Sequence, residues 1–176
     1  MAKNKWVIDP THSEIQFKVK HLMISTVTGH FRKFNLEATT EGDDFTTLQD
    51  VLFTIDTDSV DTNNKDRDEH LRSADFFNSE TYSEIVFNGM SYAGSGTEGK
   101  LTGSLSIRDV KKTVAVNIEF GGVVVDPYGQ TKAGFTVEGK INRKEFGLTW
   151  GALTEAGNVV VGDEVKFHGE IQLIKK

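Results

Sequence analysis

At 176 residues, 37% hydrophobic and 26% charged, the chain has the size and composition of one globular domain able to bury a substantial core. A net charge of −6 without clustered Lys and Arg excludes a nucleic-acid partner, because counterion release from phosphates needs a basic surface. The absence of Cys excludes disulfides, thiolate chemistry and Cys-based metal sites, and the amino-terminal MAKNKWVIDP has no apolar run behind its lysines. These features predict no signal peptide, no membrane span and a cytoplasmic location.

In chain order, Ser13 to His21 alternates strictly, with Ile15, Phe17 and Val19 on one face and Gln16, Lys18 and Lys20 on the other. A second strand is predicted from about Val27 to Thr40, and the intervening Leu-Met-Ile-Ser-Thr is apolar enough to tuck under an end of the fold. Val51, Phe53 and Ile55 form a third apolar row that runs into the acidic stretch Asp56 to Asp61. From Asp61 to Asn78 the alternation stops. Leu71, Ala74 and Phe77 recur at helical spacing, and Asn63 followed by Asp66 offers an N-cap and a first-turn carboxylate, so one short amphipathic helix is predicted near residues 63–75. Its apolar side, continued by Phe76 and Phe77, must close something the strands leave open.

Beyond the helix, Ile85 and Phe87 begin another strand. Leu101 to Ile107 and Val114 to Phe120 read as a hairpin about the turn Asp109-Val110-Lys111-Lys112. The loop Val125 to Gly129 turns the chain again. Two last strands follow, one with Ala133, Phe135, Val137 and Ile141 inward, the other with Val165, Phe167, Ile171 and Leu173 inward. About eight antiparallel strands, each dry on one face, call for a closed barrel or a two-sheet sandwich.

Glycines inside the dry rows favour the barrel. Gly103 stands between Leu101 and Leu105, Gly139 between Val137 and Ile141, Gly169 between Phe167 and Ile171, and Gly29 between Val27 and Phe31. Such glycines either let coiled strands bend around a closed wall or leave interior volume empty. Eight strands enclose a space near the limit between a filled core and a small-ligand cavity, so missing side chains can decide which results.

Several motifs are weighed and set aside. Gly94-Ser95-Gly96-Thr97-Glu98-Gly99-Lys100 matches the glycine spacing of phosphate-binding loops, but Leu101 follows where Ser or Thr should, and a strand follows where a helix should. It reads as a hairpin turn. The acidic run lacks the ligand order of a calcium loop, since Lys65 and Arg72 fall on ligand positions. Of the five histidines, His12, His21, His30, His70 and His168, only His21 and His30 could meet across a hairpin; satisfied barrel-end histidines are the commoner outcome, so no metal is expected. No nucleophile elbow is present. On the helix, Arg67, His70 and Arg72 read either as a solvated charged face or as contacts for an anionic head group at a barrel mouth.

With these residues assembled, a resemblance emerges. Trp6-Val7-Ile8-Asp9, Ser13-x-Ile15-x-Phe17-x-Val19-Lys20-His21-Leu22 and Val27-x-Gly29-x-Phe31-x-x-Phe34 are similar to the opening of the YceI-like family of polyisoprenoid-binding proteins. Arg67-Asp68-x-His70-Leu71-Arg72-Ser73-x-Asp75-Phe76-Phe77 resembles that family's most distinctive segment. Leu101-Thr102-Gly103-x-Leu105-x-Ile107, Ile141-Asn142-Arg143-x-x-Phe146-Gly147-Leu148 and Gly162-Asp163-Glu164-Val165 resemble its later landmarks. The match covers nearly the whole chain in order.

The resemblance implies an all-β fold, a closed antiparallel lipocalin-like barrel of about eight strands, formed by residues 1–176 as one domain. It also implies an elongated apolar cavity for an isoprenoid or other long-chain lipid. The residues expected to line it are Phe17, Val19, Phe31, Phe53, Leu71, Phe77, Leu105, Phe135 and Phe167. Gly103, Gly139 and Gly169 are expected to open it, and Arg67, His70 or Arg72 to stand near its mouth. No catalytic residue and no cofactor are carried over, and a homodimer is compatible with such a barrel. The rival expectations are an enzyme using His21 or His70 as acid or base on a hydrophobic substrate, and a solidly packed interaction barrel without ligand.

Overall fold

In the computed structural model, which describes residues 2–151 and 160–176, the period-two pattern becomes eleven strands and one α-helix. The strands are β1 (Lys3–Ile8), β2 (Glu14–His21), β3 (Ser25–Phe31), β4 (Phe34–Glu41), β5 (Asp44–Asp56) and β6 (Val60–Asp61). After the helix α1 (Lys65–Arg72) come β7 (Glu84–Ser95), β8 (Glu98–Ile107), β9 (Val110–Val125), β10 (Thr131–Asn142) and β11 (Val161–Lys175). All pairings are antiparallel. The series β1-β4-β5-β7-β8-β9-β10-β11 closes on itself where Ile8 pairs with Leu173, giving an eight-stranded barrel.

Three walls of the barrel are jointed. Asp9 accepts a hydrogen bond from the Thr11 amide, and Pro10 opens a 3-10 turn that separates β1 from β2, yet both pair with the long β11. At Arg32-Lys33 the predicted strand Val27–Thr40 breaks into β3 and β4, and a 3-10 turn at Thr57–Ser59 separates β5 from β6. Above these joints β2, β3 and β6 continue away from the closed part, and β6 pairs with β3 alone. The gap this leaves is where the chain inserts α1.

The helix is shorter than predicted. Asn64, not Asn63, is its N-cap, with Oδ1 accepting from the Arg67 amide at 3.0 Å, because Asn63 turns left-handed (φ 62°). It ends at Arg72, and Ala74 to Phe77 continue as turns. Asp68 is buried on the β6 side, where its carboxylate accepts from the amide and hydroxyl of Thr62, and Arg67 donates back to the Thr62 hydroxyl at 2.7 Å. This clasp holds the helix against the wall through polar contacts, as its weak apolar stripe could not.

Other expectations are corrected. The β8–β9 turn is Arg108-Asp109, with Val110 already paired to Ile107, so the second strand of the hairpin starts four residues before the expected Val114. Leu22 to Ile24 does not tuck under the barrel end: Met23 is 58% and Ile24 83% exposed. The Gly94–Lys100 stretch is a hairpin turn, as its alternating sequel requires, with Gly96 at φ 62°.

Gly103 and Gly139 do not open interior space. A Cβ on Gly139 would overlap the Phe167 ring lying across from it, and one on Gly103 would overlap the Asn88 carbonyl and the Phe87 ring. Gly29 seats the Phe17 ring in the same way. These glycines are cross-strand seats for aromatic rings, which replace the packing a glycine lacks. At Gly169 a Cβ would come within 3.2 Å of Ile15 Cδ1, and this glycine alone of the three borders the lumen.

Candidate functional site

The inward rows enclose an apolar cavity of about 410 Å³, within the range of about 300–1,000 Å³ typical of small-molecule pockets. Its floor is aromatic. Trp6 is fully buried, donates from Nε1 to Thr40 Oγ1 at 2.8 Å, and meets Phe45 at 4.8 Å between ring centroids. Phe45 in turn touches Phe120 and Phe135 at 5.2 and 4.9 Å, so four rings seal the end formed by the β4–β5 and β9–β10 turns.

The nine predicted apolar residues, Phe17, Val19, Phe31, Phe53, Leu71, Phe77, Leu105, Phe135 and Phe167, all border the cavity. Phe17, Phe31 and Phe77 form a chain of rings at 5.3 and 5.7 Å that carries the wall from β2 across β3 to the segment after α1. The expected solid packing of an interaction barrel is therefore not what the lumen contains.

The mouth lies at the opposite end, where α1, the β2–β3 turn and the stretch after β10 converge. Of the three cationic candidates, Arg67 and His70 border the cavity and Arg72 does not. Arg72 is turned to the barrel exterior, donating to the carbonyls of Asp58 and Val60 at 2.9 and 3.2 Å, which ties α1 to the joint before β6. Arg67 is partly engaged by Thr62, through its hydroxyl and, at 2.6 Å, its carbonyl. His70 Nε2 meets Asp75 Oδ2 at 2.9 Å, and its ring stands edge-on to Phe76 and Trp150 at 5.1 and 4.7 Å.

His21 and His30 do not meet. His21 pairs with Ser25 and His30 with Gln16, and His30 Nε2 reaches Glu14 Oε1 at 3.0 Å instead. Among the described residues no three His, Asp or Glu side chains cluster as metal ligands would. His168 is clamped on the outer wall between Glu138 and Glu170 at 3.0 and 2.7 Å. Its hydrogen bond to Glu170 raises the imidazole above its ordinary pKa, burial opposes this, and Glu138 adds to the rise.

Arg143 and Trp150 at the mouth go unnoticed in a residue-by-residue reading. Gly147, left-handed at φ 77°, ends the 3-10 turn Arg143–Phe146 and bends the chain back across the mouth. That bend brings the Leu148 and Trp150 carbonyls to Arg143 Nη1, both at 2.6 Å, while Nε donates to Gly162 at 2.9 Å. Arg143 is only 3% exposed, and burial presses its pKa down while Asp163, 3.7 Å away, presses it up. The guanidinium thus ties Leu148 and Trp150, after β10, to Gly162 at the start of β11. The available signal was the Asn142-Arg143-x-x-Phe146-Gly147-Leu148 spacing, where a charge sits among residues that must be buried.

A second charged cluster lies at the joint between β1 and β2. Burial pushes the Asp9 carboxyl up, but hydrogen bonds from Lys132, Thr11 and His12 outweigh it and hold the carboxyl well below the usual range. Lys132 Nζ, 2.9 Å from Asp9 and 3.5 Å from Asp126, is raised by the same contact. The cluster locks the seam where the barrel closes and does not border the cavity.

Comparison with known proteins agrees with this architecture. The family model described as YceI-like domain matches residues 6–173. A UPF0312 protein of Staphylococcus epidermidis is 38% identical over 169 residues, spanning 96% of each chain, and one from Staphylococcus aureus is 35% identical over 168 residues, spanning 95% of each. Among solved structures, the Campylobacter jejuni YceI protein superimposes with a TM-score of 0.77 at 31% identity, covering 90% of this chain and 91% of that one. A polyisoprenoid-binding domain from Saccharophagus degradans shares the fold, with a TM-score of 0.70 at 15% identity over 97% and 98% of the two chains. With a family match from Trp6 to Leu173 and relatives of this identity along almost its full length, the chain belongs to the YceI-like domain family.

Proposed function

We propose that the protein binds an isoprenoid, or a similarly long amphiphilic lipid, in the barrel cavity without chemically changing it, as a store or carrier. The observation that carries this reading is a lumen walled by hydrocarbon, sealed by rings at one end and edged by polar groups at the other. Such a shape matches a molecule with a long apolar chain and one polar end. The Saccharophagus domain described as binding polyisoprenoids has the same fold, which adds support.

Magnitudes favour the same ligand class. Burying a five-carbon isoprene unit is worth about 4 kcal/mol at roughly 0.8 kcal/mol per methylene-like group. A few units therefore offset an association cost of about 4 to 15 kcal/mol, and chain length outweighs the head group in setting affinity. The chain would run along Phe17, Phe31, Phe167 and Leu105 toward the floor, with the polar end near Arg67 and His70.

The test is extraction of the protein purified from its native cells, followed by mass spectrometry of the released lipid. About one long-chain lipid per barrel is expected. Protein that releases none, and that takes up no prenyl alcohol added afterwards, would overturn the proposal. The enzymatic alternative rests on the His70–Asp75 pair at the mouth. His70→Gln separates the readings: a carrier still returns its bound lipid unchanged, whereas wild-type enzyme would return a product that the variant no longer makes.

A further inference from the structure

The β2–β3 turn is built against local preference. Leu22 and Met23 occupy consecutive left-handed positions, φ 52° and 58°, closed by the Ile24 amide donating to the His21 carbonyl at 3.2 Å. Left-handed turn positions favour Asn and Gly, and bulky side chains there are strained. The turn leaves Met23 and Ile24 in water beside His21 and Val160, which border the mouth of the cavity.

Beside this apolar tip the outer wall carries an equally costly feature. Lys140 on β10 pairs directly with Lys166 on β11, which pairs directly with Lys18 on β2, and Lys20 follows one pleat nearer the tip. Like charges placed opposite one another on adjacent strands destabilise a sheet. Lys140 and Lys166 are 71% and 70% exposed and, among the described residues, share Glu164 as their one acidic partner, each at 4.0 Å. The next row toward the floor is Glu138, His168 and Gln16, and the next toward the mouth pairs Asn142 with Glu164, so the basic band is this one lysine row together with Lys20.

From the exposed tip and the lysine row together, we infer that this edge docks on an anionic lipid bilayer, with Met23 and Ile24 entering the surface and the lysines facing the head groups. The inference rests on the lipid-carrier reading for its purpose, since a mouth held against a membrane lets a prenyl chain pass in without crossing water. Its geometry stands independently. The protein's net charge of −6 does not oppose docking, because beyond a Debye length of about 8 Å the remaining charges are screened.

The test is co-sedimentation of the intact protein with vesicles of phosphatidylcholine alone and of phosphatidylcholine with phosphatidylglycerol. Binding is expected to the anionic vesicles only and to fall steeply with added salt. Ile24→Asp should reduce it at least tenfold, and Lys18→Ser or Lys166→Ser about fivefold each. In parallel, binding of a prenyl alcohol delivered from ethanol should be the same in all variants. Absent vesicle binding, or binding that Ile24→Asp leaves unchanged, overturns the inference. So does a concentration-dependent dimer abolished by Ile24→Asp, which would make a second copy the tip's occupant. Failure of prenyl alcohol binding alone would instead overturn the carrier reading and leave the docking edge standing.

Discussion

The floor and the mouth of the barrel close the ends of one rolled sheet with different chemistry. At the floor, Trp6, Phe45, Phe120 and Phe135 fill the space ring against ring, and the single polar atom of Trp6 is satisfied by Thr40. At the mouth, closure depends on backbone carbonyls gathered by buried or half-buried arginines: Arg143 on Leu148, Trp150 and Gly162, Arg67 on Thr62, and Arg72 on Asp58 and Val60. A packed aromatic end opens only by breaking the core. An end held by polar clasps over irregular chain can open locally at a much lower cost, and on the carrier proposal that is the end through which the lipid would pass.

Substitutions at the two ends should therefore differ in kind as well as size. The largest expected effect is Trp6→Ala, which leaves a void beside the Phe45 ring and removes the donor to Thr40 Oγ1; a loss of about 3 to 5 kcal/mol in urea denaturation is expected. Arg143→Leu removes the donors of several buried carbonyls and should cost about 2 to 3 kcal/mol by the same measurement. Its distinguishing mark is hydrogen exchange: amides around residues 147–151 and 160–162 should lose protection while those of β1 and β4 keep theirs. Uniform loss would show that the ends are not independent.

Gly139→Val tests whether Gly139 is a seat for the Phe167 ring or part of the cavity wall. Because Phe167 occupies the space over Gly139, the variant should lose about 1 to 3 kcal/mol of stability. A stable variant that simply excludes ligand would restore Gly139 to the cavity wall.

The smallest effects concern pH. Asp9 has its folded pKa depressed, so its contribution is complete above its unfolded value of about 3.9 and is lost as the pH falls toward the folded one. His168 has its folded pKa raised, so its contribution is complete below about 6.5 and is lost as the pH rises through the folded value. Thermal unfolding from pH 2 to 9 should show Asp9→Asn flattening the acid limb and His168→Gln softening the decline above neutrality. Half-exposed His168 should move the curve less than Asp9.

The inward rows were legible because a closed barrel has one inside, and strict alternation from Ile15 to Val19 or Val165 to Leu173 leaves one choice of face. The joints were harder to see. Nothing in Arg32-Lys33 announces a break, since the cause is the pairing of Arg32 with the Ser59 carbonyl far along the chain. β1 was hidden because KNKWVI presents too few apolar residues to alternate. Gly139 looked like a void because Phe167, the ring that fills it, is 28 positions away and adjacent only through register. Leu22 to Ile24 departs from the sequence pattern for a simpler reason: apolar side chains are not always buried, and Ile24 stands 83% exposed at the tip of a turn.

The protein's two tryptophans stand at opposite ends, Trp6 beside the floor and Trp150 at the mouth, and they allow the claim of a one-ended apolar channel to be tested directly. Fluorescence of the wild type and of Trp150→Phe can be followed with prenyl chains carrying a nitroxide at either the head or the tail. A head label should quench Trp150 strongly and Trp6 weakly, and a tail label should reverse the order. Equal quenching of both residues by both labels, or none by either, would contradict it.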